Sequence, residues 1–348
     1  MTFNYNLHDL VRISSPVQIP QFAFFEQPHL GTVTDTISIY IEDESRIGNR
    51  VRRIGKNFWY DLEADELAYT FPGLLRSFRA SVKIGQDSVI RFNRSLYDAT
   101  LSFQTRFNLY NLLTAVLSIR LLEHGHKLQY GGCIARDGRG VLLPAFSDIG
   151  KTTTILKLVR EGEAQYLSDD ATIVSPSGQA LCLPTVVRPK ELREDGVNWR
   201  AKTTKPAVTE LYDRFRMIHP FGVMLPSAPR NPSAYTIGIN PSFVARRVQV
   251  SSICFLEWGG SEGGEIDFQT ALNKLWALDL YEPTWMSNTL VATYGYARPD
   301  LDFGELLVKE TEITRKFAES VGRFHILTRR GKDFSEPILA HLRKEAGP

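Results

Sequence analysis

YGGCIARDGRGVLLPAFSDIGKTTTILKLVREGEAQYLSDDATIV, residues Tyr130–Val174, is the stretch on which the reading of this chain turns. Its apolar residues come in short runs divided by turn residues. Gly131–Ala135 reads as a strand, Asp137-Gly138 with Gly140 as a tight turn, and Gly140–Pro144 as a second strand antiparallel to the first. Gly150–Glu161, with no internal proline or glycine, reads as a helix. Tyr166–Ser168 reads as a short strand that ends in Asp169-Asp170. Ala171–Val174 and Ala180–Leu183 suggest one more hairpin around Pro176-Ser177-Gly178.

Between the second strand and the helix lies Ala145-Phe146-Ser147-Asp148-Ile149-Gly150-Lys151-Thr152. A phosphate-binding loop is written Gly, four residues, then Gly-Lys-Ser/Thr. The last three positions match, and Ala145 stands at the first glycine. The tripeptide alone is a common accident, and an ordinary strand-to-helix turn with a surface lysine is the alternative. Its position between an apolar strand and a helix gives it weight. Amides at such a loop and at the helix N-terminus point at one anion. The expected phosphate contacts are therefore Ala145, Phe146, Ser147, Asp148, Ile149, Gly150, Lys151, Thr152 and Thr153. Lys151 reaches the β- and γ-phosphates of ATP, and the Thr152 hydroxyl binds Mg²⁺. Ala145 adds a methyl group where the backbone bends. Asp148 brings a carboxylate into a loop meant for anions, so it must point away from the phosphates or help hold the metal, or affinity suffers.

Asp169 and Asp170 follow Lys151 by eighteen and nineteen residues. Phosphoryl transfer to a hydroxyl asks two services of carboxylates: one deprotonates the acceptor and another helps hold the metal. A solvated Asp-Asp turn is the alternative. The strand before the loop belongs to a hairpin, unlike the all-parallel sheet of most phosphate-loop NTPases.

Tyr130–Val174, about 45 of 348 residues, resembles the core of the HPr kinase/phosphorylase-like proteins, whose fold is related to phosphoenolpyruvate carboxykinase. The family pattern is a hairpin, a loop of the form Gly-x-Ser-Gly-x-Gly-Lys-Ser/Thr, a helix ending near a glycine, then Asp-Asp. Ser147, Gly150, Lys151, Thr152, Gly162, Asp169 and Asp170 match in order. Ala145 and Asp148 depart from it at two loop glycines, and Tyr130 stands where the family has a histidine. No clear counterpart of the glycine-rich motif that follows this core in the bacterial enzymes is visible, so HPr itself is not implied as acceptor. The resemblance implies Asp169 as catalytic base and Asp170 as a metal ligand with Thr152. Tyr130 is either a buried or half-buried neighbour of the loop or a contact residue.

Around this core, Arg106–His126 reads as a helix with Leu109, Leu112, Leu113, Val116, Leu117, Leu121 and Leu122 on an apolar stripe bound for the core. Residues 1–105 read as β-rich, with Thr32–Ile41, Phe58–Leu62 and Ser81–Phe92 as strands. Val248–Glu257 is a strong strand. Helices are expected around Gln269–Leu278, Thr284–Tyr294, Glu310–Val321 and Asp333–Glu345, with a strand at Phe324–Leu327. Residues 184–232 read as loops with short helices. Within them Arg188 is the preferred extra cation to offset phosphoryl charge. Arg246, Arg247 and His219 are further candidates, and each of the four, Arg188 included, is more readily a surface or structural group.

Net charge is +2, which gives no case for a nucleic-acid or membrane partner. Cys133, Cys182 and Cys254 lie far apart in apolar runs, without metal-ligand spacing, and read as buried reduced thiols. The most apolar stretch is too short to span a bilayer. A cytoplasmic protein is expected. The fold class is mixed α/β, α+β-like: a phosphate-loop kinase core with a partly antiparallel sheet of the HPr kinase/phosphoenolpyruvate carboxykinase type at 106–348, plus a β-rich region at 1–105. The expected function is an ATP- and Mg²⁺-dependent kinase with Lys151, Asp169 and Arg188 as catalytic residues. Its acceptor is a hydroxyl of a protein, peptide or small molecule. The other readings are a nucleotide-binding regulatory or assembly module without turnover and, more weakly, the reverse dephosphorylation. A homo-oligomer is left open.

Overall fold

The structure, a computed structural model, describes residues 2–27, 33–43, 48, 50–72, 77–102, 108–184, 240–259, 263–281, 285–331 and 333–346. It is a mixed α/β protein with two mixed sheets. In chain order the first strands are β1 (Phe3–Leu7), β2 (Val11–Ser15), β3 (Thr36–Glu42), β4 (Val51–Arg53), β5 (Phe58–Asp61), β6 (Glu66–Pro72), β7 (Ser77–Lys83) and β8 (Asp87–Asn93). Helices α1 (Arg94–Ser102) and α2 (Leu109–Glu123) follow. Then come β9 (Lys127–Tyr130), β10 (Gly132–Arg136), β11 (Arg139–Leu143), α3 (Lys151–Arg160), β12 (Gln165–Ser168), β13 (Ala171–Val174) and β14 (Gln179–Leu181). The chain ends with β15 (Arg247–Trp258), β16 (Gly264–Glu265), α4 (Phe268–Tyr281), α5 (Thr289–Ala297), α6 (Phe303–Val321), β17 (Phe324–Arg329) and α7 (Ser335–Ala346).

These elements form two compact units. Among the described residues the first holds those up to 120 and 285–303. Its eight-stranded sheet runs β1-β2-β3-β8-β7-β6-β5-β4. Alternation drives it: Ile37 and Ile39 of β3 and Ile90 and Phe92 of β8 are buried on one face, while Tyr40 is exposed. The stretch Ser81–Phe92 divides at Ile84–Gln86 into two antiparallel strands, β7 and β8. The expected leucine stripe of α2 is core, as are its other apolar residues Ala115 and Ile119. In the same unit the Asp35 carboxylate receives the guanidinium of Arg120 in a fork at 2.7 to 3.2 Å, both side chains buried.

The second unit holds 121–184, 240–284 and 304–346 of the described residues. Its sheet follows β12-β10-β11-β15-β14-β13-β9, with β17 on β15 and β16 on β17. The expected hairpin is present. β10 and β11 pair antiparallel, and Asp137 and Gly138 turn between them with φ of 50° and 76°. Positive φ at both central residues is the tight turn that matches strand twist, and it favours Asp-Gly. β11 then pairs parallel with β15, and β15 parallel with β17, which makes the sheet mixed. All three cysteines are free and buried, and burial pushes the Cys182 thiol up to about 12. No helix among the described residues is long and apolar enough to cross a membrane.

β9 is pinned to the helices beside it. The Lys127 ammonium, 2% exposed, donates to Asp279 of α4 and to the Thr314 hydroxyl of α6. Gln129 donates to the other Asp279 oxygen at 2.9 Å. Removing one partner of a buried ion pair leaves the other charge uncompensated. Asp279→Ala should therefore cost about 3 kcal/mol of unfolding free energy in a urea titration.

Candidate functional site

Two glycines draw the site together. β9 and β10 are consecutive, as are β12 and β13, and the two stretches run antiparallel in one register: Tyr130 opposite Ala171, Cys133 opposite Ser168. Gly131 and Gly132 therefore cross opposite Asp170 and Asp169, and the Gly131 N–H donates to the Asp170 carbonyl at 3.0 Å. Gly131 has φ of 145°, a region that favours glycine. A β-carbon there would lie 3.2 Å from Pro144 Cα, where the loop begins. One at Gly132 would lie 2.5 Å from Ile155 Cδ1 of α3 and 2.9 Å from the Asp169 carbonyl oxygen. The Thr172 hydroxyl, buried, donates to the Gly131 carbonyl at 2.8 Å and shares a hydrogen bond with Ser168. Loop, helix and aspartates thus meet at a point where no side chain fits.

The loop leaves β11 and is tied to β15. Leu256 N–H donates to the Pro144 carbonyl at 3.1 Å, and the Trp258 indole N–H donates to the Ile149 carbonyl at 3.0 Å. Ala145 is buried, and it is not among the residues with positive φ, so its methyl group meets no left-handed backbone. Asp148 has φ of 65° and Gly150 has φ of 105°. Asp148 therefore occupies the left-handed region that aspartate tolerates better than most side chains. Phe146, Ser147 and Asp148 are exposed.

α3 starts at once after Gly150, its N-cap, which has no side chain to cap it. The first amides of a helix have no partner within it and carry its positive dipole end. Thr153 lies in this first turn, and the buried Thr154 hydroxyl accepts from Phe334 N–H at 3.0 Å. Lys157 donates to Asp333 and Ser335 at 2.8 and 3.0 Å. Partial burial raises the Asp333 carboxyl, but the Lys157 and Ser335 hydrogen bonds outweigh it and hold it at about 2.

Lys151 is 6% exposed, and its Nζ has no hydrogen-bond acceptor among the described residues. It lies over the Tyr130 ring, 4.4 Å from the centroid. Such contact offsets part of the desolvation of an ammonium, about 2 kcal/mol when buried. The Tyr130 hydroxyl is 3.4 Å from Ser147 Oγ. Tyr130 is thus half-buried beside the loop, the first of the two alternatives expected for it. Thr152 Oγ1 donates to Asp169 Oδ2 at 2.6 Å. Asp169 is buried, whereas Asp170, one residue on, is exposed.

The structure brings together Tyr130, the loop, Lys151, Thr152 and Asp169, with Asp170 beside them. Arg246 and Arg247 are exposed at the end of β15 opposite Trp258 and the loop. Arg188 and His219 lie outside the described residues. The glycine crossing and Trp258 went unnoticed in the sequence, although adjacent glycines inside a strand signal close backbone approach. In comparisons with known proteins, no family model matches the chain and no curated protein is similar to it in sequence.

Gly132→Ala should cost about 1–3 kcal/mol in denaturant unfolding, because the methyl group overpacks against Ile155 and the Asp169 backbone. A mutant as stable as the wild type would remove the crossing as a constraint.

Proposed function

We propose that this chain is an ATP- and Mg²⁺-dependent kinase with a phosphate-loop core of the HPr kinase type. It binds the nucleotide's phosphates at 145–153 and phosphorylates a hydroxyl of a protein, peptide or small molecule. The observation that carries the reading is the Lys151 ammonium: buried, without a hydrogen-bond acceptor among the described residues, at the N-terminus of a helix whose N-cap is a glycine. A buried charge without a counter-charge is costly, and a triphosphate supplies one. The donor set fits the ligand: loop and helix amides with a lysine suit a polyphosphate. A threonine hydroxyl with one carboxylate suits Mg²⁺, which keeps waters and phosphate oxygens as its other ligands. The three buried thiols accord with the reducing cytoplasm.

When bound, ATP supplies the phosphoryl group and Mg²⁺ offsets its charge. Thr152 and Asp169 would hold the cation, since their side chains already meet. That favours the assignment opposite to the one expected from the resemblance. Asp169 serves the metal, and the exposed Asp170 accepts the acceptor's proton. Lys151 exchanges the Tyr130 ring for phosphate oxygens, and the loop amides orient the phosphates. Arg188 remains the proposed extra cation.

A second reading, a nucleotide-binding regulatory module without turnover, draws support from Tyr130. Its ring covers Lys151 and its hydroxyl meets Ser147, so ligand entry is coupled to a movement of Tyr130.

Calorimetry with Mg²⁺ and ATP, followed by phosphoryl transfer to an acceptor pool, separates these readings. Lys151→Ala should lower ATP affinity and abolish transfer. Asp170→Asn should keep binding and lower transfer by about 10²–10⁴-fold, the usual contribution of a general base. Asp169→Asn should weaken the Mg²⁺ dependence of binding. Binding without turnover in any condition selects the regulatory reading, and wild-type protein that binds no ATP excludes both.

A further inference from the structure

The rim of the loop is aromatic. Phe146, inside the loop, is 50% exposed, and Tyr281, the last residue of α4, is 59% exposed. Their ring centroids are 4.9 Å apart at 84°, an edge-to-face contact. Leu280 beside Tyr281 is exposed as well, and so is Trp258, whose indole holds Ile149. Scattered apolar residues on a surface are ordinary, but Phe146, its partner Tyr281 and Trp258 all meet one loop. The contact orders the Phe146 ring while leaving both rings in water. A flat partner laid on them would take that apolar area out of water.

The loop's geometry says what that is. Phe146 follows buried Ala145 and lies within the loop, two residues before Asp148, whose backbone is left-handed, and its ring is half exposed. Phosphates and base of a nucleotide are joined through one ribose, so a base whose phosphates sit on these amides lies within one sugar's reach of the loop. We propose that Phe146 and Tyr281 form the base-stacking platform of the nucleotide site. The proposal rests on the nucleotide reading given above and deepens it. The ligand is a nucleoside triphosphate held by phosphate contacts at one end and by π-stacking at the other. A stacking platform tolerates different bases, since every base has a π-face. The site therefore discriminates weakly between ATP and GTP.

The test compares Mg²⁺ complexes of ATP, GTP and inorganic tripolyphosphate by calorimetry on the full chain, wild type, Tyr281→Ala and Tyr281→Phe. Tyr281 is exposed, so its replacement leaves the core intact, which circular dichroism checks. The wild type should bind ATP more tightly than tripolyphosphate by on the order of tenfold, with GTP within about threefold of ATP. Tyr281→Ala should erase most of the ATP advantage and Tyr281→Phe should keep it, with tripolyphosphate affinity the same in all three. Equal affinity of the wild type for ATP and tripolyphosphate would overturn the platform while leaving the phosphate site standing, and would give the rings to an apolar segment of an acceptor. An ATP advantage that survives Tyr281→Ala would overturn it too. Failure of both ligands to bind would overturn the nucleotide reading and this proposal with it.

Discussion

The second unit is organised around a crossing too close for a side chain. At Gly131 and Gly132 one chain passes against the backbone of Ser168–Asp170, against Pro144 where the loop begins, and against Ile155 on the first turns of α3. Four pieces of sequence spread over 131–170 are thereby fixed to one another. Overpacking such a point displaces backbone, since no flexible side chain can give way at the Asp169 carbonyl. Ser168 and Thr172 support the crossing with buried hydroxyls that satisfy each other and the Gly131 carbonyl. The position of Asp169 beside Thr152 follows from this arrangement.

Lys151 is the second constraint, and it opposes the first in sign. Close packing at the glycines is favourable in the folded state, whereas a buried ammonium over an aromatic ring is only partly compensated. Strained or under-satisfied groups that a surrounding fold holds in place are often part of a mechanism. Here the surrounding elements are firmly tied: the loop to β15 through Pro144 and Ile149, and α3 to the start of α7 through Thr154 and Lys157. A ligand that brings negative charge to Lys151 would gain from a site already built.

Much of this unit was legible in the sequence. The Asp137-Gly138 turn, the strand before the loop and the helix after it follow from local chemistry, and the structure has them at the expected residues. The long-range pairings were not legible. Nothing local to Val141–Leu143 says that β15, more than a hundred residues on, lies parallel beside it. The N-terminal strands were read only in part. β1, β2 and β6 are short or mixed in polarity, so alternation alone marks them weakly. Within the site, the loop residues, Lys151, Thr152 and the Asp-Asp pair were visible as a motif. The pair's difference in burial was not, because adjacency in sequence does not tell which of Asp169 and Asp170 turns inward. Asp148 looked like a misplaced charge. Its left-handed backbone gives it a conformational reason to stand where glycine is usual.

The central claim is that the buried Lys151 ammonium belongs to a phosphate. A crystal structure of the chain with Mg²⁺ and a non-hydrolysable ATP analogue tests it most directly. The account predicts phosphate oxygens on the amides of 148–153, with Lys151 Nζ drawn from the Tyr130 ring to the β- and γ-phosphates and the cation between Thr152 and Asp169. An analogue bound elsewhere, with Lys151 still packed against Tyr130, would contradict it.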